Sequence, residues 1–377
     1  LKDLLPSVEA SMAPKTLRVG LIGAGRNTRE RHVPGLLAMP SVEIVAVCNR
    51  RPASTAAAAR EWSISRTYER WQDLVADPSV DAIVIGTWPY LHCPITLAAL
   101  EVGKHVLTEA RMALNAAEAH RMLEASRRYP DLVTQVVPSP YGLRCNDVIV
   151  DLINAGYVGE LREVQVLSLT NSLADPAAPL SWRQDTALSG YNMLSLGILH
   201  ETLLRWVPPP VRVMAQVHAF IPKRIDPESG VHRLVGTPDS VQVISVLENG
   251  ARAVYHCSGA VPYGKEQGIR LYGTEGVLYY DFKSDRLFGT HAQTKENAPP
   301  ADMLDEIRIP EEKEGSWRVE AEFVEAIRTG KPIRFTDFSS GVMYMEFTEA
   351  VARSAQRGEP IELPIQEFLD LDENEAE

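Results

Sequence analysis

The sequence is short of several things. No apolar run reaches the roughly 18 residues a membrane-spanning helix needs, and the opening LKDLLPSVEAS lacks the ordered basic, apolar and small-residue regions of a secretory signal. Cytoplasm is the expected compartment, with no membrane partner. Because Met12 is followed at once by APKTLRVGLIG, residues 1–14 read as an extension. Cysteine is scarce: Cys48, Cys93, Cys145 and Cys257 are the only four among 377 residues. None is spaced as a pair, which excludes a disulfide scaffold and a zinc knuckle; no metal is expected. Positive charge is in deficit, 38 Lys and Arg against 50 Asp and Glu for a net charge of -12. A phosphate backbone calls for clustered basic charge, so nucleic acid is not an expected partner. Much of the acidic excess lies in 303–316 and 367–377, which read as solvated surface and fraying terminus.

What is present is a globular composition, 45% hydrophobic and 23% charged, enough for one large core or two of ordinary size. The first third alternates apolar runs with helical patterns. LRVGLIG (17–23), VEIVAVCN (42–49), VDAIVIGT (80–87), KHVLTE (104–109) and LVTQVVP (132–138) are continuous hydrophobic strands of the kind buried on both faces. PASTAAAAREW, YERWQDLVAD, CPITLAALEVG and LNAAEAHRMLEASRRY lie between them as helices. This order predicts an N-terminal Rossmann-type α/β unit, a doubly wound parallel sheet, over 15–138.

From 139 to 362 the pattern changes. A helix at 141–159 precedes alternating, β-rich segments with short turns such as ENGA and GTEG, which predict an α+β unit with a large, mainly antiparallel open sheet. Two late helical segments, WRVEAEFVEAIRTG and SSGVMYMEFTEAVARSAQRG, end at glycine as helix C-caps do. Residues 363–377 read as a terminal extension and TKENAPPADML (294–304) as a surface loop.

LRVGLIGAGRNTR places a glycine turn between the first strand and a polar helix start. Gly23 supplies the tight turn and Gly25 lets a pyrophosphate approach the amides near Arg26 and Asn27; Thr28 stands where a third glycine is usual. This predicts a dinucleotide cofactor. The second strand ends in CNRR. A carboxylate there would chelate the adenosine ribose hydroxyls of NAD, whereas Asn49 with Arg50 and Arg51 leans toward the 2′-phosphate of NADP. The third strand runs into TWPYLH, where Thr87 and Trp88 are expected to wall the cofactor and His92 to bond across the cleft or serve the fold.

With these stretches in order, the chain resembles the glucose-fructose oxidoreductase, inositol dehydrogenase and rhizopine catabolism family, Gfo/Idh/MocA. VGLIGAG, TWPYLH followed by LAALEVGKHVLTE, INAGYVGELREV, WRQD leading to SG, LYGTEGVLYYD, and GKPIRFTDFSSGVMYMEFTEAVARSAQRGEPIEL carry the likeness from about 15 to 362. It implies a Rossmann unit, an open sheet that builds a homodimer or homotetramer, and a substrate cleft between the units. It also implies catalytic groups that this chain lacks. Members commonly have glutamate, lysine and proline where this chain has Glu109, Ala110 and Arg111, and the helix that should carry an aspartate and a histidine around Gly197 has Ser195 and Leu199. A methyl group carries no proton, and arginine stays charged across working pH.

Replacements are sought in the second unit. The candidates are His200, with Glu201 as a possible orienting partner, Tyr191, Asn192, Tyr141, Arg144, Arg183 and, more remotely, Lys265; Glu109 and Arg111 are placed on the cofactor side. Three functions stay open. One is net hydride transfer on a sugar, cyclitol or related polyhydroxylated small molecule, the second a lyase, glycosidase or epimerase that uses the cofactor transiently through a keto intermediate, and the third a non-catalytic ligand-binding protein on the same fold.

Overall fold

A computed structural model describes residues 15–191, 193–264, 266–291 and 304–368. Asn192, Lys265, nearly all of the expected loop 294–304, the extension 1–14 and the acidic tail beyond 368 lie outside the described residues. The first sheet contains β1 (Leu17–Ile22), β2 (Val42–Cys48), β3 (Arg66–Tyr68), β4 (Ala82–Ile85), β5 (His105–Thr108) and β6 (Thr134–Val136), all parallel, in the order β3-β2-β1-β4-β5-β6. The strand order reverses between β1 and β4, and that switch is where open α/β sheets bind ligands, outside the strand carboxyl ends. Continuous apolar sequence explains the burial: Val19, Leu21, Val84, Ile85 and Leu107 are all inaccessible or nearly so. β3 has no such run because it is a three-residue edge strand, and the sequence reading missed it.

Helices α1 (26–37), α2 (Pro52–Trp62), α3 (Trp71–Val75), α4 (His92–Glu101) and α5 (Ala116–Arg128) complete the crossovers. The second unit starts with α6 (Asn146–Asn154) and contains α7 (Thr186–Ser189) and α8 (Leu196–Leu204). Its strands are β7 (Leu161–Leu169), β8 (Pro210–His218), β9 (Lys223–Ile225), β10 (His232–Leu234), β11 (Ser240–Leu247), β12 (Arg252–Ser258), β13 (Gln267–Gly273), β14 (Gly276–Asp281), β15 (Arg286–His291), β16 (Asp305–Ile307) and β17 (Ile361–Glu362). Nine form one sheet in the order β16-β15-β14-β13-β7-β12-β11-β8-β17, while β9 and β10 form a separate hairpin. The sheet is mostly antiparallel, but β7 and β12 pair in parallel, because β7 enters alone from the Rossmann unit and is inserted between two later hairpins.

One face of that sheet, with Val213, Val243, Tyr255 and Cys257, packs under α8 and α10 (Phe338–Arg357). Two expectations about boundaries need correction. Helix α9 (Val319–Thr329) returns to the first unit, where Val319, Phe323 and Val324 join Val19, Leu21 and Leu36 in one core; a linear boundary at 138 cuts that core apart. Residues 363–368 are not a loose extension either, since Ile365 and Phe368 are buried and the His120 ring stacks on Phe368 at 4.6 Å. Among the described residues no helix is long and apolar enough to cross a membrane.

Candidate active site

The chain leaves β1 at Gly23, whose φ of +92° is a conformation side chains rarely adopt. A Cβ there would stand 2.5 Å from the carbonyl carbon of Gly86, just beyond β4. The two turns therefore pack backbone against backbone, tied by the Gly86 N–H to the Ile22 carbonyl at 2.8 Å. Thr28 closes the turn further by donating its Oγ1–H to the Gly23 carbonyl at 2.9 Å. Outside lies a cavity of about 510 Å³ lined by Gly23, Gly25, Asn49, Arg50, Trp71, Thr87 and Trp88 among others. The first amides of α1 have no intrahelical partners and sit at the positive end of the helix, a cradle suited to a pyrophosphate.

Asn49 serves that cradle indirectly. Its Oδ1 accepts the Ala24 N–H at 2.6 Å, its Nδ2 donates to the Ser54 carbonyl at 3.1 Å, and its own N–H donates to Thr55 Oγ1 at 3.0 Å. The carboxamide expected, with Arg50 and Arg51, to favour a 2′-phosphate ties the glycine turn to α2. Arg26 is 87% exposed by side chain and pairs with Glu30. Arg50 and Arg51 both reach Glu228 in the β9–β10 turn, at 2.8 and 3.0 Å.

The middle turn of α1, Thr28–His32, is a π-helix, closed by the Val33 N–H on the Thr28 carbonyl. Residues five apart on an α-helix diverge by about 140°, but the wider π turn brings them to one side. Asn27 and His32 accordingly both bond to Oε1 of Glu109, His32 through Nε2 at 2.9 Å. Nδ1 of His32 meets Oε1 of Glu320 on α9 at 2.6 Å, and Trp317 Nε1–H also donates to Glu320. Burial alone would lower the His32 pKa; its bonds to Glu109 and Glu320 outweigh that and raise it to about 9. Against burial, the same contacts hold Glu109 below the ordinary carboxylate range. Glu109 is thus an ionised carboxylate whose Oε2 takes no hydrogen bond among the described residues.

The peptide Ala110–Arg111 is cis. Arg111, expected on the cofactor side, instead crosses to the second unit, where its Nη2–H donates to the Leu194 carbonyl at 3.1 Å and its Nε approaches Gly197 of α8. Burial lowers its pKa to about 10, leaving it a cation. His92 is buried with one ring nitrogen 2.7 Å from the Arg111 carbonyl and the other 3.0 Å from that of Thr87. Both nitrogens are spent on backbone, so His92 positions the two segments and does not bond across the cleft.

From the second unit, Trp182 stacks on Trp88, with ring centroids 5.7 Å apart. The Arg50 guanidinium lies over Trp88 at 5.5 Å and that of Arg183 over Trp182 at 4.3 Å. Burial lowers the Arg183 pKa, opposed by the charge of Glu109, and Arg183 in turn depresses Arg111. Glu109, Arg111 and Arg183 therefore share one electrostatic neighbourhood at the junction of the units.

A dinucleotide turn, a Rossmann strand order and an open sheet behind it are joined by sequence-wide likeness. Residues 17–136 match the family model described as the oxidoreductase family, NAD-binding Rossmann fold, GFO_IDH_MocA, and residues 148–279 match the GFO/IDH/MocA C-terminal domain. The chain belongs to the Gfo/Idh/MocA oxidoreductase family. An uncharacterized oxidoreductase of Rhizobium meliloti is 25% identical over 91% of this chain and 98% of its own length. Levoglucosan dehydrogenase of Pseudarthrobacter phenanthrenivorans is 25% identical over 71% of this chain and 74% of its own. A solved levoglucosan dehydrogenase in complex with NADH and L-sorbose superposes with a TM-score of 0.81 at 23% identity, covering 93% of this chain and all of that one.

The other catalytic candidates of this Gfo/Idh/MocA oxidoreductase lie elsewhere. His200 is 1% exposed, stacked on Phe347 at 3.6 Å with Nδ1 2.9 Å from the Tyr255 hydroxyl, and burial pushes its pKa down to about 3. It faces the sheet as a neutral core ring, because a shift of one helical position turns it away from the Gly197 side. Glu201 pairs with Arg205 at 2.6 Å and caps the Ser139 N–H at 3.0 Å, not His200. Tyr141 packs on Phe282 at 4.7 Å, and Arg144 is bound to Glu314 and the Asp285 carbonyl. Tyr191 is exposed and accepts a hydrogen bond from Gln356 beside a separate cavity lined by β8 residues. Of these candidates, Arg183 is the one that lies on the Trp88–Trp182 stack at the junction of the units. The sequence reading passed over His32, Glu320, Trp182 and Glu228; Trp182 adjoins a residue it did select, whereas the others carry no local signal.

Proposed function

We propose that this oxidoreductase transfers hydride to or from a carbon of a sugar, a cyclitol or a related polyhydroxylated small molecule. The observation that carries the reading is the junction where Trp88 of the first unit stacks on Trp182 of the second, with the Arg183 guanidinium over Trp182, while Asn27 and His32 hold Glu109 just past the end of β5. Glu109 and Arg183 suit hydroxylated substrates, one group accepting and the other donating hydrogen bonds. The name of the levoglucosan relative supports the substrate class.

When bound, a nicotinamide dinucleotide supplies the hydride acceptor or donor. The chain supplies the remainder. The amides from Gly25 into the start of α1 would bind the pyrophosphate, the Gly23 and Ala24 N–H groups being taken by the Cys48 carbonyl and Asn49 Oδ1. Arg183 would donate N–H to the substrate oxygen. That oxygen is most negative as the alkoxide, left when the hydroxyl proton departs to solvent and before hydride leaves the carbon, or formed when hydride arrives at the carbonyl in the reverse direction. As a permanent cation Arg183 stabilises that alkoxide without itself taking the proton. Glu109, kept ionised by His32, orients a substrate hydroxyl through Oε2.

The test is incubation with NAD or NADP and a panel of aldoses, anhydrosugars and inositols. Formation of reduced cofactor in step with a keto product is expected. Product without net reduced cofactor would replace this reading by the transient-redox one, and cofactor binding with no turnover would leave a binding protein. The lean toward NADP rests on Arg50 and Arg51, both of which Glu228 engages. Assembly belongs to the same proposal: on the outer face of the nine-stranded sheet Ile244 is in register with Met214 and Val254, all three exposed. That apolar patch suits a second copy of the chain, and a dimer or tetramer in light scattering that dissociates in Ile244→Glu is the expected outcome.

A further inference from the structure

We infer that Glu228 biases the cofactor choice of this enzyme: a carboxylate brought from the second unit onto the arginine pair that follows β2, where it competes with a 2′-phosphate for the two guanidiniums. The inference rests on the dinucleotide reading of the cavity beside β1, β2 and β4.

At the end of the second strand of a Rossmann unit, a carboxylate chelates the ribose hydroxyls of NAD, and an arginine accommodates the 2′-phosphate of NADP. Here that position holds Asn49, Arg50 and Arg51, with no carboxylate of its own. The structure supplies one from 177 residues further along the chain. Nη2 of Arg50 and Nη2 of Arg51 lie 2.8 and 3.0 Å from the same oxygen, Oε1 of Glu228. Arg50 lines the dinucleotide cavity, and its guanidinium is set by the Trp88 ring beneath it. One nitrogen of each guanidinium that would meet a 2′-phosphate is therefore already engaged.

Glu228 is delivered by an ordered turn. Its N–H donates to Asp226 Oδ1 at 3.0 Å, the Ser229 hydroxyl donates to Asp226 Oδ2 at 3.0 Å, and the Gly230 N–H returns to the Asp226 carbonyl at 2.8 Å. Arg233 ties Asp226 to Asp185, at 3.4 and 2.9 Å. The hairpin pairs with neither large sheet, but it is anchored: buried Arg224 donates to the Leu173, Asp175 and Ala178 carbonyls, and the Leu180 N–H donates to the Ile225 carbonyl at 2.8 Å. The mobile part of the contact is the exposed Glu228 side chain. A phosphate and a carboxylate compete for one pair of guanidiniums and repel each other, so NADP would have to turn the Glu228 side chain aside, whereas NAD leaves the contact intact. The three side chains are 52%, 69% and 59% exposed; exposed ion pairs are individually weak, so Glu228 biases the choice and does not make it absolute.

The experiment titrates the full chain with NADH and NADPH, and separately with ADP-ribose and its 2′-phosphate, for the wild type, Glu228→Gln, and Glu228→Gln combined with Arg50→Ala and Arg51→Ala. The wild type is expected to prefer NADH. Glu228→Gln should gain about tenfold in NADPH affinity, the scale of two exposed ion pairs, with NADH changed by less than about twofold, and the triple variant should lose the gain. A wild type that already prefers NADPH, or a Glu228→Gln variant with an unchanged ratio of the two affinities, overturns the role of Glu228 while leaving the dinucleotide site standing. Failure of all four ligands to bind the wild type overturns the dinucleotide reading itself, and this inference with it.

Discussion

Nε2 of His32 lies 2.9 Å from Oε1 of Glu109, and the imidazole has no solvent exposure. With Glu320 on its other nitrogen, His32 is one cation between two carboxylates. Removing one member of such a buried cluster leaves uncompensated charge, so His32→Leu should lose about 3–5 kcal/mol in urea unfolding. The pH dependence has a definite sign. The folded pKa of about 9 is raised above the ordinary 6.5, so the stabilisation is fully present below pH 6.5 and is lost as pH rises through 9. The wild-type melting temperature should fall over that window, and His32→Gln should flatten the fall. A variant with the wild-type slope would remove His32 as its cause.

Gly23→Ala tests the backbone cradle. Positive φ and the 2.5 Å approach to Gly86 both forbid a side chain, and the neighbouring atoms are main chain that cannot move aside. The turn should open, at a cost of about 1–3 kcal/mol in stability, with NADH affinity lowered at least about 100-fold by loss of the aligned amides. Fluorescence titration of folded variant measures it.

Arg183→Ala should lower kcat by about 100- to 1000-fold, the scale of losing one preorganised donor to a developing oxyanion, with the NADH dissociation constant little changed. Arg183→Lys should recover little, because a lysine ammonium does not stack on Trp182 as the planar guanidinium does. Equal losses in cofactor affinity and turnover would assign Arg183 to cofactor binding.

His200→Leu separates packing from chemistry. It strands the Tyr255 hydroxyl in the core and removes a ring stacked on Phe347, so stability should drop by about 1–3 kcal/mol. Turnover per folded molecule should match the wild type. A large loss of turnover in stable, folded variant would return His200 to the mechanism.

The split between legible and illegible follows the range of the interactions. The parallel sheet was readable because continuous apolar strands and glycine turns are local facts, and each is decided within a few residues. Glu109 and Arg183 could be picked out as candidates, the first for the cofactor side and the second for catalysis, because both lie in recognisable stretches. His200 looked suitable by type and neighbourhood in the sequence, but one step around a helix turned it into the core. The return of α9 to the first unit was invisible, since its apolar stripe fits any core and only the assembled chain chooses which.

Sequence alone determined the Rossmann unit, the open sheet, the glycine turn and the absence of a lysine beside Glu109. Those rest on residue type, periodicity and backbone conformation, which need no distant partner. Tertiary structure alone decided what surrounds Glu109: His32 from a π turn 77 residues earlier, with Glu320 on the other ring nitrogen; it alone also placed Arg183 on a tryptophan stack between the units. It also decided that the arginines after β2 meet Glu228. Charge and hydrogen-bond partners separated by so many residues leave no spacing rule in the sequence, because the fold, and not the chain between them, sets their distance.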